Sequence, residues 1–129
     1  MNEKKQKTVL MVDDDADILR QMGAALEGKY RVLTASSGKE CMERVKAALP
    51  DCIVMDVMMD EMADGLETAK KLKETRRTAA IPILMLTSVN DSYDYRSQVD
   101  ASYFPHDTWL DKPVKGSRLL EEVEKLIGK

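Results

Sequence analysis

Five short apolar runs, separated by longer amphipathic stretches, constrain this chain more than any other feature. Val9-Leu10-Met11-Val12 runs into Asp13-Asp14-Asp15, and Ile53-Val54-Met55 runs into Asp56. Ile83-Leu84-Met85-Leu86 ends at Thr87, and Trp109-Leu110 leads to Lys112-Pro113. The fifth run, Tyr30 to Ala35, is short and β-branched. Between the runs, apolar residues recur at helical spacing. Ile18, Leu19, Met22 and Leu26 form one such set, closing near Gly28. Ser37-Gly38-Lys39-Glu40 fits a capping box that opens a second, with Cys41, Met42, Val45 and Leu49, stopped by Pro50. Leu66, Ala69 and Leu72 mark a third, and Leu119, Leu120, Val123, Leu126 and Ile127 the last. Residues 89–107 have weak periodicity, with a helix around Tyr93 to Val99 as the candidate. The pattern is strand then helix, five times over. Strands apolar on both faces suit a parallel sheet covered by helices on each side, so the expected class is α/β, a doubly wound five-stranded sheet.

The 129 residues amount to one domain, spanning 1–129, with no separate output domain expected after the last helix. Surface scaling buries about two-thirds of such a chain's area, enough for a core without disulfide or metal staples. Hydrophobic residues at 43% and charged residues at 33% argue against disorder. The apolar runs are too short to cross a bilayer, and the charged start MNEKKQK does not lead into a signal peptide. Twenty Lys and Arg against 23 Asp and Glu give a net charge of −3, which speaks against a dominant nucleic-acid footprint. Cys41 and Cys52 have neither metal nor redox spacing and read as buried thiols in a reducing, cytoplasmic setting. The single histidine, His106, has no His or Cys nearby, so a zinc site or a Ser-His-Asp triad is not expected.

In open α/β sheets the ligand crevice lies beyond the carboxyl ends of the strands. A parallel arrangement therefore gathers Asp13, Asp14, Asp56, Thr87 and Lys112 at one edge. Three carboxylates together repel one another unless a cation sits among them. A hard, oxygen-rich site with few protein ligands suits Mg²⁺, which keeps several waters and favours phosphate oxygens. Lys112 and Thr87 could hold further phosphate oxygens, and Asp56 is both a metal ligand and a candidate carboxylate nucleophile. Each residue alone has an ordinary reading: the DDD run as a solvated turn and helix cap, Asp56 as a loop carboxylate, Thr87 as a strand-end cap, Lys112 as a surface residue. Their joint placement, each closing an apolar run, favours the site.

With these residues in place, the sequence resembles a receiver domain of the two-component response-regulator family. The resemblance rests on VLMVDDD at 9–15, PDCIVMDVMM at 50–59, IPILMLTS at 81–88 and WLDKPV at 109–114. It implies a flavodoxin-like fold with strand order 2-1-3-4-5. It also implies that Asp56 is the phospho-acceptor, that Asp14, Asp56 and the backbone carbonyl of Met58 hold Mg²⁺ (with Mn²⁺ able to stand in), and that Asp13 holds the metal through water. Thr87 resembles the switch hydroxyl, Lys112 the lysine that pairs with the acceptor or its phosphate, and Trp109 the aromatic switch residue. Pro113 falls where the family has a cis peptide. Plain core packing is the competing reading of Trp109.

The implied function is a signalling switch that takes a phosphoryl group from a sensor histidine kinase or a phosphotransfer protein. It would be no enzyme beyond its own phosphorylation and slow dephosphorylation. Its expected output is contact with another protein, with no direct nucleic-acid or membrane binding. The chain departs from the family pattern in the loop VMMDEMADG, where Asp60 stands about where a proline is common and Glu61 and Asp64 add charge. The stretch from Val89 to Asp107 is long, lacks the customary glycine and holds Tyr93, Tyr95, Tyr103 and Phe104, a partner surface or a packed aromatic cluster. Met58 and Val89 are apolar where water is steered in the family, which implies a long-lived phosphorylated state. An aspartyl-nucleophile phosphatase would want an acid at position 58, and Met58 cannot serve. A phosphorylation-independent interaction module is the other alternative, against which the complete set of five residues argues. A flavin-binding relative would want a Ser/Thr/Gly-rich loop after the first strand, and none is present.

Overall fold

The computed structural model describes residues 6–56, 64–88, 108–112 and 114–128, with Thr87 described by its backbone. Among the described residues there are five strands: β1 (Thr8–Val12), β2 (Arg31–Ala35), β3 (Cys52–Asp56), β4 (Ile83–Ser88) and β5 (Thr108–Lys112). The described helices are α1 (Ala16–Glu27), α2 (Gly38–Ala47), α3 (Asp64–Glu74) and α4 (Gly116–Ile127). All strand pairings are parallel, in one sheet of order β2-β1-β3-β4-β5. The expected doubly wound architecture is therefore observed. The helix considered around Tyr93 to Val99 lies outside the described residues.

Alternation along the strands divides the core into two layers. One face carries Leu10, Val12, Ile53, Met55, Ile83 and Met85 against Cys41 and Val45 of α2 and Ala69 and Leu72 of α3. The other carries Val9, Met11, Val54, Leu84 and Leu86 against Leu26 of α1 and Leu119 and Val123 of α4. Every residue of β3 is buried, as the continuous apolar run predicts for a central strand. Each fully buried Leu or Ile contributes about 1.5–3 kcal/mol of apolar transfer. Cys41 and Cys52 are both buried and unbridged, one in each layer, as the sequence suggests.

Local chemistry sets the helix ends. The third residue of the DDD run, Asp15, caps α1: its side chain accepts from the backbone N–H of Asp17 and of Ile18. Ser37 caps α2 by accepting from Glu40 N–H at 3.1 Å. The Glu40 carboxylate reaches back to Ser36, taking its backbone N–H at 2.7 Å and its hydroxyl at 2.8 Å. The capping box thus closes on the residue before the cap. Helix α2 ends at Ala47, ahead of Pro50, because the residue preceding a proline is driven out of helical geometry. Leu49, read as part of the apolar stripe, is exposed. Among the described residues, no helix is long and apolar enough to cross a membrane.

Candidate functional site

The sheet brings four of the expected side chains to its carboxyl edge. Asp56 is the last residue of β3, opposite Leu86 of β4. Asp13 follows β1, and its backbone N–H donates to Ala35 O at 3.1 Å, continuing the pairing with β2 by one step. Lys112 ends β5, opposite Ser88. Both Asp13 and Asp56 are buried, whereas Asp14 is exposed. Carboxylate oxygens of Asp13, Asp14 and Asp56 all lie within 4.8 Å of one another. Among the described residues no other group of three or more acidic, histidine or cysteine side chains comes together in this way.

Lys112 links two of the carboxylates. Its Nζ lies 3.1 Å from Asp56 Oδ1 and 3.4 Å from Asp13 Oδ2. The other oxygen of Asp13, Oδ1, accepts from Asp15 N–H at 2.9 Å, so both Asp13 oxygens are engaged. Burial would lower the Lys112 ammonium, but the carboxylates of Asp56 and Asp13 more than offset it and hold the group above the ordinary lysine range. Three carboxylates against one ammonium leave two formal negative charges in a half-buried crevice. That is the complement of one divalent cation, and an all-oxygen donor set with one solvent-facing member fits Mg²⁺. The residues present therefore suit a hard dication among Asp13, Asp14 and Asp56.

Pairing puts Thr87 opposite Asp111, two residues beyond Met85 opposite Trp109. Trp109 is partly buried and packs against the core layer that holds α2 and α3. This placement fits the core-packing reading of Trp109. Met58, Pro113, Val89, Asp60, Glu61, His106 and the aromatics Tyr93, Tyr95, Tyr103 and Phe104 lie outside the described residues. Asp64 opens α3. A feature with no sequence signal is a hollow of about 330 Å³ beside Lys112, lined by Ile18, Gln21, Met22, Leu86, Lys112 and Val114. Ile18 and Met22 fell on a helical stripe and Leu86 in an apolar run, and such patterns do not separate a packed residue from one that lines a hollow.

Comparison with known proteins bears on the same arrangement. The family model described as response regulator receiver domain matches residues 9–124. The chain is 38% identical over 89 residues to the alkaline phosphatase synthesis transcriptional regulatory protein PhoP of Bacillus subtilis, covering 68% of this chain and 36% of that protein. It is 32% identical over 120 residues to the response regulator MprA of Mycolicibacterium vanbaalenii, covering 92% of this chain and 49% of that protein. The chain thus spans at most about half the length of these relatives. Among solved structures, the chemotaxis response regulator CheY4 of Vibrio cholerae superposes with a TM-score of 0.81 at 28% identity, covering 95% of this chain and 99% of that one. The N-terminal domain of a response regulator receiver protein from Methanoculleus marisnigri is 35% identical with a TM-score of 0.67, covering 95% of this chain and 97% of that one. Strand order, the clustered carboxylates and a family match over nearly the whole length agree, and the chain belongs to the receiver-domain family of two-component response regulators.

Proposed function

We propose that the chain is a phosphorylation-controlled switch in which Asp56 accepts a phosphoryl group from a sensor histidine kinase or a histidine phosphotransfer protein. The observation that carries this reading is the Lys112 ammonium 3.1 Å from Asp56 Oδ1, with Asp13 and Asp14 completing a net-negative pocket. An Asp56 carboxylate oxygen attacks phosphorus in line. A new O–P bond forms as the N–P bond of the donor phosphohistidine breaks. The imidazole nitrogen leaves with the electron pair and takes up a proton. Lys112 already sits at the acceptor and offsets negative charge on the incoming phosphoryl oxygens. Asp13 holds Lys112 from the other side, so the ammonium is oriented before the donor arrives. Asp14 and Asp56, with the Met58 carbonyl that the family resemblance adds, would hold Mg²⁺ (or Mn²⁺ in its place), which would supply the remaining charge neutralisation.

The product adds roughly two negative charges to the crevice. Thr87 turns toward the phosphoryl group, and Trp109 follows into the vacated space. The face around β5, α4 and the chain before β5 is thereby reshaped for a downstream protein, as a population shift between two states. The test is intact mass after incubation with Mg²⁺ and acetyl phosphate, for wild type and Asp56→Asn. One phosphate adduct, dependent on Mg²⁺ and absent from the variant, is expected. A folded wild type that takes no phosphate overturns the reading in favour of a phosphorylation-independent interaction module.

A further inference from the structure

The Lys112 ammonium sits at the end of β5, on the segment that leads into α4. From Lys112 the chain passes Val114 and Lys115 and enters α4 at Gly116. Along this path Lys112 and Val114 line the hollow of about 330 Å³, although Val114 also packs against the core layer shared by α1 and α4, so packing is not continuous around the segment. Nor does a capping side chain fix the start of α4. Lys115 occupies the cap position with no side-chain hydrogen bond to the helix. What does meet the start of α4 is α1. A Cβ built on Gly116 would lie 2.7 Å from the Cβ of Ala25 and 4.0 Å from its Cα. The atom it would strike is fixed to the α1 backbone and has no rotamer in which to retreat. Gly116 has no positive φ, so its backbone geometry would accept alanine, and helix propensity would favour it. The missing methyl is explained by the close approach of the two helices.

We infer that Gly116 is a positioning residue: its contact with Ala25 sets where the β5–α4 segment lies on α1, and so where Lys112 meets Asp56 and Asp13. This deepens the reading of Asp56 as phospho-acceptor and rests on it. A methyl group at 116 pushes the first turn of α4 off α1 and draws the segment that follows Lys112 with it. The carboxylates, carried by β1 and β3, stay in place.

The experiment follows phosphorylation by acetyl phosphate with Mg²⁺ as intact mass against time, with thermal unfolding recorded in parallel. Gly116→Ala is expected to lower the saturated rate by about tenfold or more, the scale of a misplaced catalytic group. The half-saturating donor concentration should stay unchanged, since the small donor touches neither helix. The decisive variant is Ala25→Gly/Gly116→Ala, which moves the methyl across the contact, with Ala25→Gly alone as baseline. Its rate is expected to return to within a few-fold of wild type although an interior helix glycine lowers its stability. A merely structural role predicts the opposite, a double variant no faster than Gly116→Ala. That result, or a folded Gly116→Ala at the wild-type rate, overturns the inference. Should Gly116→Ala not fold, Ala25→Ser crowds the contact from the other side and is expected to slow the reaction likewise, with a wild-type rate counting against the inference. A wild type that takes no phosphate defeats the reading of the site and this inference together, whereas equal rates in wild type and Gly116→Ala defeat only the positioning role.

Discussion

Replacing Asp13 by asparagine should stabilise the metal-free protein. Asp13 has carboxylates of Asp14 and Asp56 as neighbours within 4.8 Å and one ammonium, Lys112, at 3.4 Å. At an effective dielectric of about 20, each like-charge pair at 4.8 Å repels by about 3.5 kcal/mol. The attraction to Lys112 at 3.4 Å amounts to about 5 kcal/mol on the same scale. The two repulsions exceed the one attraction by about 2 kcal/mol. Solvent around the exposed Asp14, and an amide N–H₂ turned toward the ammonium, reduce the expected gain to about 1 kcal/mol. The asparagine oxygen can still accept from Asp15 N–H, so the turn into α1 is kept. For a chain of this length that gain raises the melting temperature by about 3–4 °C. The assay is far-UV circular dichroism melting of both proteins in EDTA, at low salt and again near 1 M, where a Debye length of about 3 Å should shrink the difference. Mg²⁺ should then reverse the order. Wild type gains about 2.7 kcal/mol at a concentration a hundredfold above its Kd, and the variant gains less. An Asp13→Asn protein that melts below wild type in EDTA at low salt would refute the view of these carboxylates as a mutually repelling set.

Two further predictions concern the capping contact and the tryptophan. The Ser36 backbone N–H and hydroxyl hold the Glu40 carboxyl below its ordinary value of 4.5. Its stabilising share is therefore present above that value and lost as pH falls through the lowered one. Glu40→Gln should cost a few tenths of a kcal/mol at pH 7, because the group is close to solvent, with the gap to wild type in urea titrations closing as pH falls from the ordinary value through the lowered one. Trp109 is the single tryptophan and is packed beside the core, so its fluorescence should shift on treatment with acetyl phosphate and Mg²⁺. The shift should vanish in Asp56→Asn and shrink in Thr87→Ala; an unchanged spectrum in a fully phosphorylated wild type counts against Trp109 as a switch residue.

Much of the architecture was legible because burial on both faces leaves an unbroken apolar run. Ile53-Val54-Met55 needed no alternation to be read as a central strand, and its closing Asp56 fell at the edge where the sheet places it. The last helix was equally plain, with Leu119 and Val123 buried at the predicted spacing. The DDD run was harder, because one residue type serves two purposes. Asp13 and Asp14 join the carboxylate cluster, while Asp15 is spent on the helix cap. Clustering and capping thus fall on different members of the run. The edge strand β2 was legible as β-branched, yet Arg31 and Thr34 are exposed, as an edge allows. What the sequence could not disclose was tertiary. The approach of Gly116 to Ala25 and the ion pair of Lys29 with Glu124 join α1, or the turn after it, to α4 across some ninety residues. No local pattern announces contacts between elements so far apart.

The two signs of charge in the crevice are mounted on strands of unequal security. Asp13 directly follows β1 and Asp56 ends β3, two strands each paired on both sides, whereas among the described residues β5 pairs with β4 alone. Lys112 is thus an anchor as well as a counter-charge, fastening the end of an outer strand to the middle of the sheet. Peeling β5 away would strand two buried carboxylates, so fraying at that edge carries an electrostatic penalty that the hydrogen-bond ladder alone does not impose. A cation bound among the carboxylates would relieve that penalty, and the edge strand would then be held more loosely in a loaded pocket than in an empty one. Hydrogen exchange at Leu110 is where such a trade between filling the pocket and fastening the sheet would be read.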